Sequence, residues 1–268
     1  MRIWHQSFTV LDDLPDYRAA MERHIRSVVR PDTEVVMHGL NPATYTTNYP
    51  GSDLAYEALY TIHGMQWMAK ALNAQKAGFD VFAMATIPNP MIRAIRTLVD
   101  IPVVGYGESC FHLACMLGHR FGVMLFIDRM IPHYREQIEG YGLAGRCAAI
   151  EPAGITFQDV LPAFRDPAPL IKRFEASARA LIAKGADVIV PGEMPLNVLL
   201  ATNKVSSVDG VPIIDGLAVT MKMAETMVDL RRSTGLKQSR NGWTGAAPPA
   251  GRVQELMTFY GLDRLLDK

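Results

Sequence analysis

The sequence predicts an α/β fold of two pseudo-symmetric lobes, each a mostly parallel sheet flanked by helices, with a cleft between them. Three observations predict it. Short apolar runs of strand length alternate with longer amphipathic segments along most of the chain, the pattern of parallel strands covered by helices. One strand–turn–helix–strand unit occurs twice, at residues 78–105 and 185–216. With 268 residues, 49% of them hydrophobic, the chain has enough apolar material for a sizeable core.

The elements follow in order. Residues 2–8 read as a first strand and 16–29 as a helix, with Tyr17, Ala20, Met21, His24, Ile25 and Val28 on one stripe. Residues 33–38 are a second strand, followed by a polar loop that includes Tyr45, Thr46, Thr47, Asn48 and Tyr49 before Pro50-Gly51. That loop is expected to be a surface connection, with a lid over the cleft as the alternative. A long helix over 56–77 ends at Gly78, the usual stop residue. Strands are expected at 81–85, 102–105, 121–127, 188–190 and 212–214, and helices at 91–99, 109–117, 132–141, 170–184 and 196–203. The lobes divide as 1–117 plus 216–268 and 118–215. Residues 231–251, rich in Gly, Pro and Ser with Arg231, Arg232, Lys237 and Arg240, break the pattern as a solvated arm; the alternative is an arm that grips a second subunit through Trp243.

Composition narrows the function. The 27 basic and 27 acidic residues cancel, and only 20% of the chain is charged, which excludes a disordered polyelectrolyte and argues against a nucleic-acid partner. No apolar run reaches the ~18 to 20 residues of a membrane span. The N-terminus lacks the apolar core of a signal peptide, and three cysteines (Cys110, Cys115, Cys147) make no disulfide framework, so a cytoplasmic location is expected. Cys110, His112 and Cys115 form no complete metal-ligand set, and Gly105-Tyr106-Gly107 lacks the order of a dinucleotide fingerprint, so neither metal nor cofactor is expected. The fifteen methionines are mainly core filler.

The internal echo locates the chemistry. Gly78 lies eight positions before Thr86 and ten before Pro88, and Gly185 lies eight before Glu193 and ten before Pro195. Ligands of open parallel sheets collect beyond the carboxyl ends of the strands, where helix N-termini offer free N–H groups. That rim carries Thr86, Ile87, Asn89, Glu108, Ser109 and Cys110 in the first copy, and Glu193, Met194, Pro195 and Asp215 in the second. Two lobes facing each other bring Thr86 and Glu193 to opposite walls of one cleft.

These duplicated units, with Asp100-Ile101-Pro102-Val103-Val104-Gly105 leading to Glu108-Ser109, Leu117-Gly118-His119-Arg120-Phe121-Gly122-Val123 and Gly185-Ala186-Asp187-Val188-Ile189-Val190-Pro191-Gly192, resemble the aspartate/glutamate racemase superfamily, its hydantoin-racemase-like branch above all. The resemblance covers about residues 1–225. It implies an active site between two lobes, where a cysteine from each tip moves a proton on opposite faces of a carbon next to a carbonyl. It also implies that Thr86 and Glu193 stand where those two cysteines are expected, and that Gln6 and Ser7, at the end of the first strand, face the cleft.

With both thiols replaced, a carboxylic acid tuned by burial can move the proton, and Glu193 sits in an apolar phrase. The expected enzyme is a cofactor-independent isomerase or lyase. It acts on a small carboxylate or cyclic amide, with Glu193 as acid/base and Thr86 holding the developing oxyanion. The bland alternative for Glu193 and Thr86 is helix capping. Gln6, Ser7, Ile87, Asn89, Glu108, Ser109, Cys110, Met194, Pro195 and Asp215 are the expected substrate contacts. A hydrolase using Ser109, Cys110 or Glu193-activated water, and a non-catalytic small-molecule binder, are the other readings. A homo-oligomer is expected, of undetermined size.

Overall fold

The computed structural model describes residues 1–265. The first sheet is built from β1 (Arg2–Gln6), α1 (Pro15–Val28), β2 (Glu34–His38), α2 (Gly51–Leu54), α3 (Glu57–Lys76), β3 (Val81–Met84), α4 (Ile92–Leu98), β4 (Val103–Gly105) and α5 (Tyr106–Leu117). Its four strands are all parallel, in the order β2-β1-β3-β4. The inner strand β3 is covered on both faces, so Val81, Phe82, Ala83 and Met84 are all buried, as a parallel strand between helix layers requires.

The second sheet follows from β5 (Phe121–Leu125), α6 (Ile131–Gly140), β6 (Cys147–Pro152), α7 (Phe157–Ala163), α8 (Ala168–Ala183), β7 (Val188–Pro191) and α9 (Met194–Thr202). Its order is β6-β5-β7, again parallel, with β5 fully buried at the centre. The strand expected at 212–214 is much reduced. A two-stranded antiparallel hairpin, β8 (Ser207–Val208) and β9 (Val211–Pro212), leaves only Ile213 to bridge Ile189 in parallel. The second copy therefore echoes the first through its tip and loses most of its returning strand.

The chain ends with α10 (Gly216–Thr234), which packs on α5, α1, β3 and β4, and α11 (Arg252–Phe259). The segment 231–251 is not simply solvated. Arg240 donates to the Arg96 and Val99 carbonyls and pairs with Asp100 at 2.6 Å, while Arg232 pairs with Asp80 at 2.8 Å. Trp243 stays 92% exposed. No helix among the described residues is long and apolar enough to cross a membrane.

Candidate active site

The carboxyl ends of the two sheets converge on a cavity of about 50 Å³. Its wall takes Ser7, Phe8 and Thr9 from the end of β1, Ala85 and Thr86 from the end of β3, Ile127 from beyond β5, and Glu193, Met194 and Pro195 from the end of β7. Tyr17 of α1, Phe157 of α7, and Tyr49, Pro50, Gly51 and Leu54 complete it. Thr86 and Glu193, contributed by different sheets, thus line one space.

Local packing fixes Glu193. Tyr106, buried at the start of α5, donates from its hydroxyl to the Pro191 carbonyl at 2.6 Å, tying the first sheet's edge to the end of β7. Gly192 follows, its N–H bonded to the Met124 carbonyl at 2.7 Å. A Cβ there would lie 2.3 Å from Leu125 Cδ2 and 2.4 Å from the Met124 carbonyl oxygen, so only glycine lets β7 approach β5 this closely. Glu193 occupies the position before α9 but makes no capping bond from its side chain. Its Oε1 instead accepts the Phe126 N–H at 3.4 Å. The residue is only partly buried, yet its carboxyl group is enclosed, and that loss of solvent pushes its pKa up to about 8 against the weaker pull of the Phe126 N–H.

The two tips are not equivalent. α9 begins at Met194, directly after Glu193, whereas α4 begins only at Ile92, after a turn that passes through left-handed conformations at Asn89 and Met91. The expectation that a helix N-terminus backs each tip therefore holds for Glu193 and fails for Thr86. Thr86 is half-buried, in a turn and not at a helix start.

Among the other expected contacts, Ser7, Met194 and Pro195 line the cavity. The Ser7 hydroxyl bonds Thr9 Oγ1 at 2.8 Å. Gln6, Ile87, Asn89, Glu108, Ser109, Cys110 and Asp215 are not in its wall. Gln6 is buried with its amide engaged, donating to the Ser7 and Gly39 carbonyls and accepting from Trp4 Nε1. The Ile87 carbonyl accepts from Gln137 Nε2. Asn89 bonds Tyr141 and faces a separate groove of about 520 Å³ bordered by Tyr60, His133 and Trp243. Glu108 is ion-paired with Arg96, which also holds the Val103 carbonyl. Ser109 is buried in α5, and Cys110 beside it is fully enclosed, its thiol pushed well above its ordinary range by burial. Asp215 caps α10 through the Ala218 N–H and pairs with His24 at 2.6 Å.

The sequence did not single out Thr9, Tyr17, Tyr49, Ile127 or Phe157 as site residues. The loop before Pro50 is more than a connection. Tyr49 stacks on Phe157 at 5.0 Å, carrying first-sheet chain onto α7 over the cavity. The loop is held by Lys70 to Asn41 at 2.7 Å, Tyr45 to the Phe8 carbonyl at 2.9 Å and Asp53 to His63 at 2.9 Å. A still larger groove, about 970 Å³, lies between α3, α4 and residues 247–254, but neither large groove joins the strand ends of both sheets.

A two-lobed α/β fold of this kind is shared with solved racemases. Comparison with known proteins makes the assignment definite: the Asp/Glu/Hydantoin racemase model matches residues 16–224, and the chain belongs to that family. It is 28% identical over 242 residues to a hydantoin racemase of Pseudomonas sp. (strain NS671), covering 87% of this chain and 92% of the relative. Among solved structures, allantoin racemase from Klebsiella pneumoniae aligns with a TM-score of 0.73 at 23% identity, covering 93% of this chain and 94% of that one. Glutamate racemase from Francisella tularensis, solved with D-glutamate, aligns at 0.59 and 12% identity, covering 86% and 82%.

Proposed function

We propose that this protein moves a proton at a carbon next to a carbonyl of a small cyclic amide, with Glu193 as its acid/base. The observation that carries this reading is that Glu193, its carboxyl enclosed, lines the same cavity as Thr86. With its pKa near 8, roughly a tenth of Glu193 is ionised at about pH 7, and a base and an acid near neutral pH are then available in one residue. Ionised Glu193 takes the proton, the C–H electron pair moves into the carbonyl to give an enolate, and the Thr86 hydroxyl donates to the enolate oxygen. The protonated carboxyl exchanges its proton with water and then returns one to the carbon.

The lining favours an uncharged substrate over a dicarboxylate. Ser7, Thr9, Tyr17, Tyr49 and Thr86 supply hydroxyls, and no lysine or arginine is among the lining residues. The names of the relatives, hydantoin and allantoin racemases, point to the same chemical class of cyclic ureides. A space of about 50 Å³ holds one or two waters, far below the ~300 Å³ of an ordinary ligand site, so the Tyr49 loop must lift for entry. A hydrolase built on Ser109 or Cys110 lacks this support, because both lie outside the cavity wall.

The test is proton exchange. Incubation with allantoin or a 5-alkyl hydantoin in heavy water should place deuterium at the ring carbon, and Glu193→Gln should stop it. Labelled water oxygen in a ring-opened product, with no deuterium at carbon, would replace this reading with a hydrolase.

A further inference from the structure

Hydrogen-bond accounting around the cavity leaves one wall group unexplained. Tyr17, in α1, is 1% exposed, its ring tilted against Phe164 at 5.9 Å, and its hydroxyl has no hydrogen-bond partner. Three other phenols nearby are engaged: Tyr106 with the Pro191 carbonyl, Tyr45 with the Phe8 carbonyl and Tyr60 with the Pro88 carbonyl. An unmet buried hydroxyl is costly to a fold and rare, and a catalytic role is one of the few reasons a fold keeps one. Tyr17 lines the cavity together with Thr86 and Glu193, and the Glu193 charge acts on its phenol.

We propose that the Tyr17 hydroxyl is a catalytic hydrogen-bond donor, received by the carbonyl oxygen of the substrate as that oxygen becomes an enolate. The inference rests on the proton-transfer reading above and adds a second hydroxyl to the oxyanion site. Burial first, and the charge of Glu193 second, raise the Tyr17 pKa, so the phenol keeps its proton and serves as donor, not as base. No bond to Tyr17 forms or breaks. Its hydrogen bond strengthens as negative charge reaches the oxygen, which makes the contribution specific to the transition state.

Tyr17→Phe isolates the hydroxyl, because it keeps the ring and its contact with Phe164. Deuterium exchange into allantoin and a 5-alkyl hydantoin is measured for the wild type and the variant, with thermal unfolding alongside. The expected result is a fall in kcat of about a hundredfold with KM little changed. The unfolding midpoint should stay level or rise, because an unpartnered buried hydroxyl is removed. A variant that exchanges at the wild-type rate overturns the inference and leaves the Glu193 reading standing, and one that loses activity together with its unfolding midpoint assigns the hydroxyl a structural role. Wild-type protein that exchanges no ring proton overturns the proton-transfer reading, and the inference with it.

Discussion

Replacing Glu193 by glutamine should stabilise this protein while silencing it, and the size of that gain should depend on pH. Glutamine keeps the side-chain shape and an acceptor for the Phe126 N–H but cannot ionise. In the folded wild type the carboxyl holds its proton up to about pH 8, against 4.5 for an ordinary glutamate. A folded pKa raised above the unfolded one contributes stability that is fully present below 4.5 and is lost as pH rises through about 8. At about 1.36 kcal/mol per pH unit, that interval sets an upper limit of roughly 5 kcal/mol. The residue is partly exposed, so solvent screening reduces this, and about 3 kcal/mol between about pH 5 and pH 8.5 is expected. Urea unfolding of both proteins across that range measures it. Subtracting one curve from the other cancels the remaining titrating groups, among them His5, which burial lowers to about 3. A stability difference independent of pH would refute the argument that Glu193 is a desolvated acid.

Three further outcomes follow from the same geometry. Because the base form of Glu193 starts the reaction, kcat/KM for ring-proton exchange should rise tenfold per pH unit and level off above about pH 8; a flat profile through that region would remove Glu193 from the first step. Cys110→Ala should cost about 1 kcal/mol of stability for a small buried void and leave exchange within about twofold, and inactivation without unfolding would move the chemistry to the thiol. Tyr49→Ala should lose the stack on Phe157, worth about 1 kcal/mol, and free the loop over the cavity. Faster proteolytic nicking within 41–56 and a raised KM would report that, while an unchanged cleavage rate would show that Tyr49 does not hold the loop down.

Much of this structure was legible in the sequence where local chemistry repeats. Buried parallel strands announce themselves as continuous apolar runs, as in β3 and β5. The glycine offsets put Thr86 and Glu193 at the same distance beyond their strands, β3 and β7, although the turns that follow differ. Elements with weak patterns escaped. β6 is a half-buried edge strand containing two alanines, and α7 carries Pro162 inside a seven-residue helix, so neither has a clear period. The failures at the site share one physical cause: sequence places a residue at a strand end but does not say whether another side chain has already taken its polar atoms. Gln6, Glu108 and Asp215 all sit near the rim, yet Trp4, Arg96 and His24 engage them. Tyr17 presents the reverse case. It reads as one more core residue on an amphipathic stripe, and only the missing partner of its hydroxyl separates it from Met21 beside it.

The unlike tips carry a stereochemical consequence under the proposed mechanism. A racemase with an acid/base on each side of the carbon takes a proton from one face and returns another to the opposite face. Here the β7 tip offers an ionisable carboxyl, and the β3 tip offers a threonine hydroxyl that cannot serve as a base near neutral pH. Proton removal and return must then occur on the Glu193 face unless the enolate turns over before it is reprotonated. Deuterium should therefore enter a single enantiomer much faster than that enantiomer inverts, a difference that optical rotation and mass measured on the same sample resolve. Equal rates would require a second acid on the far face.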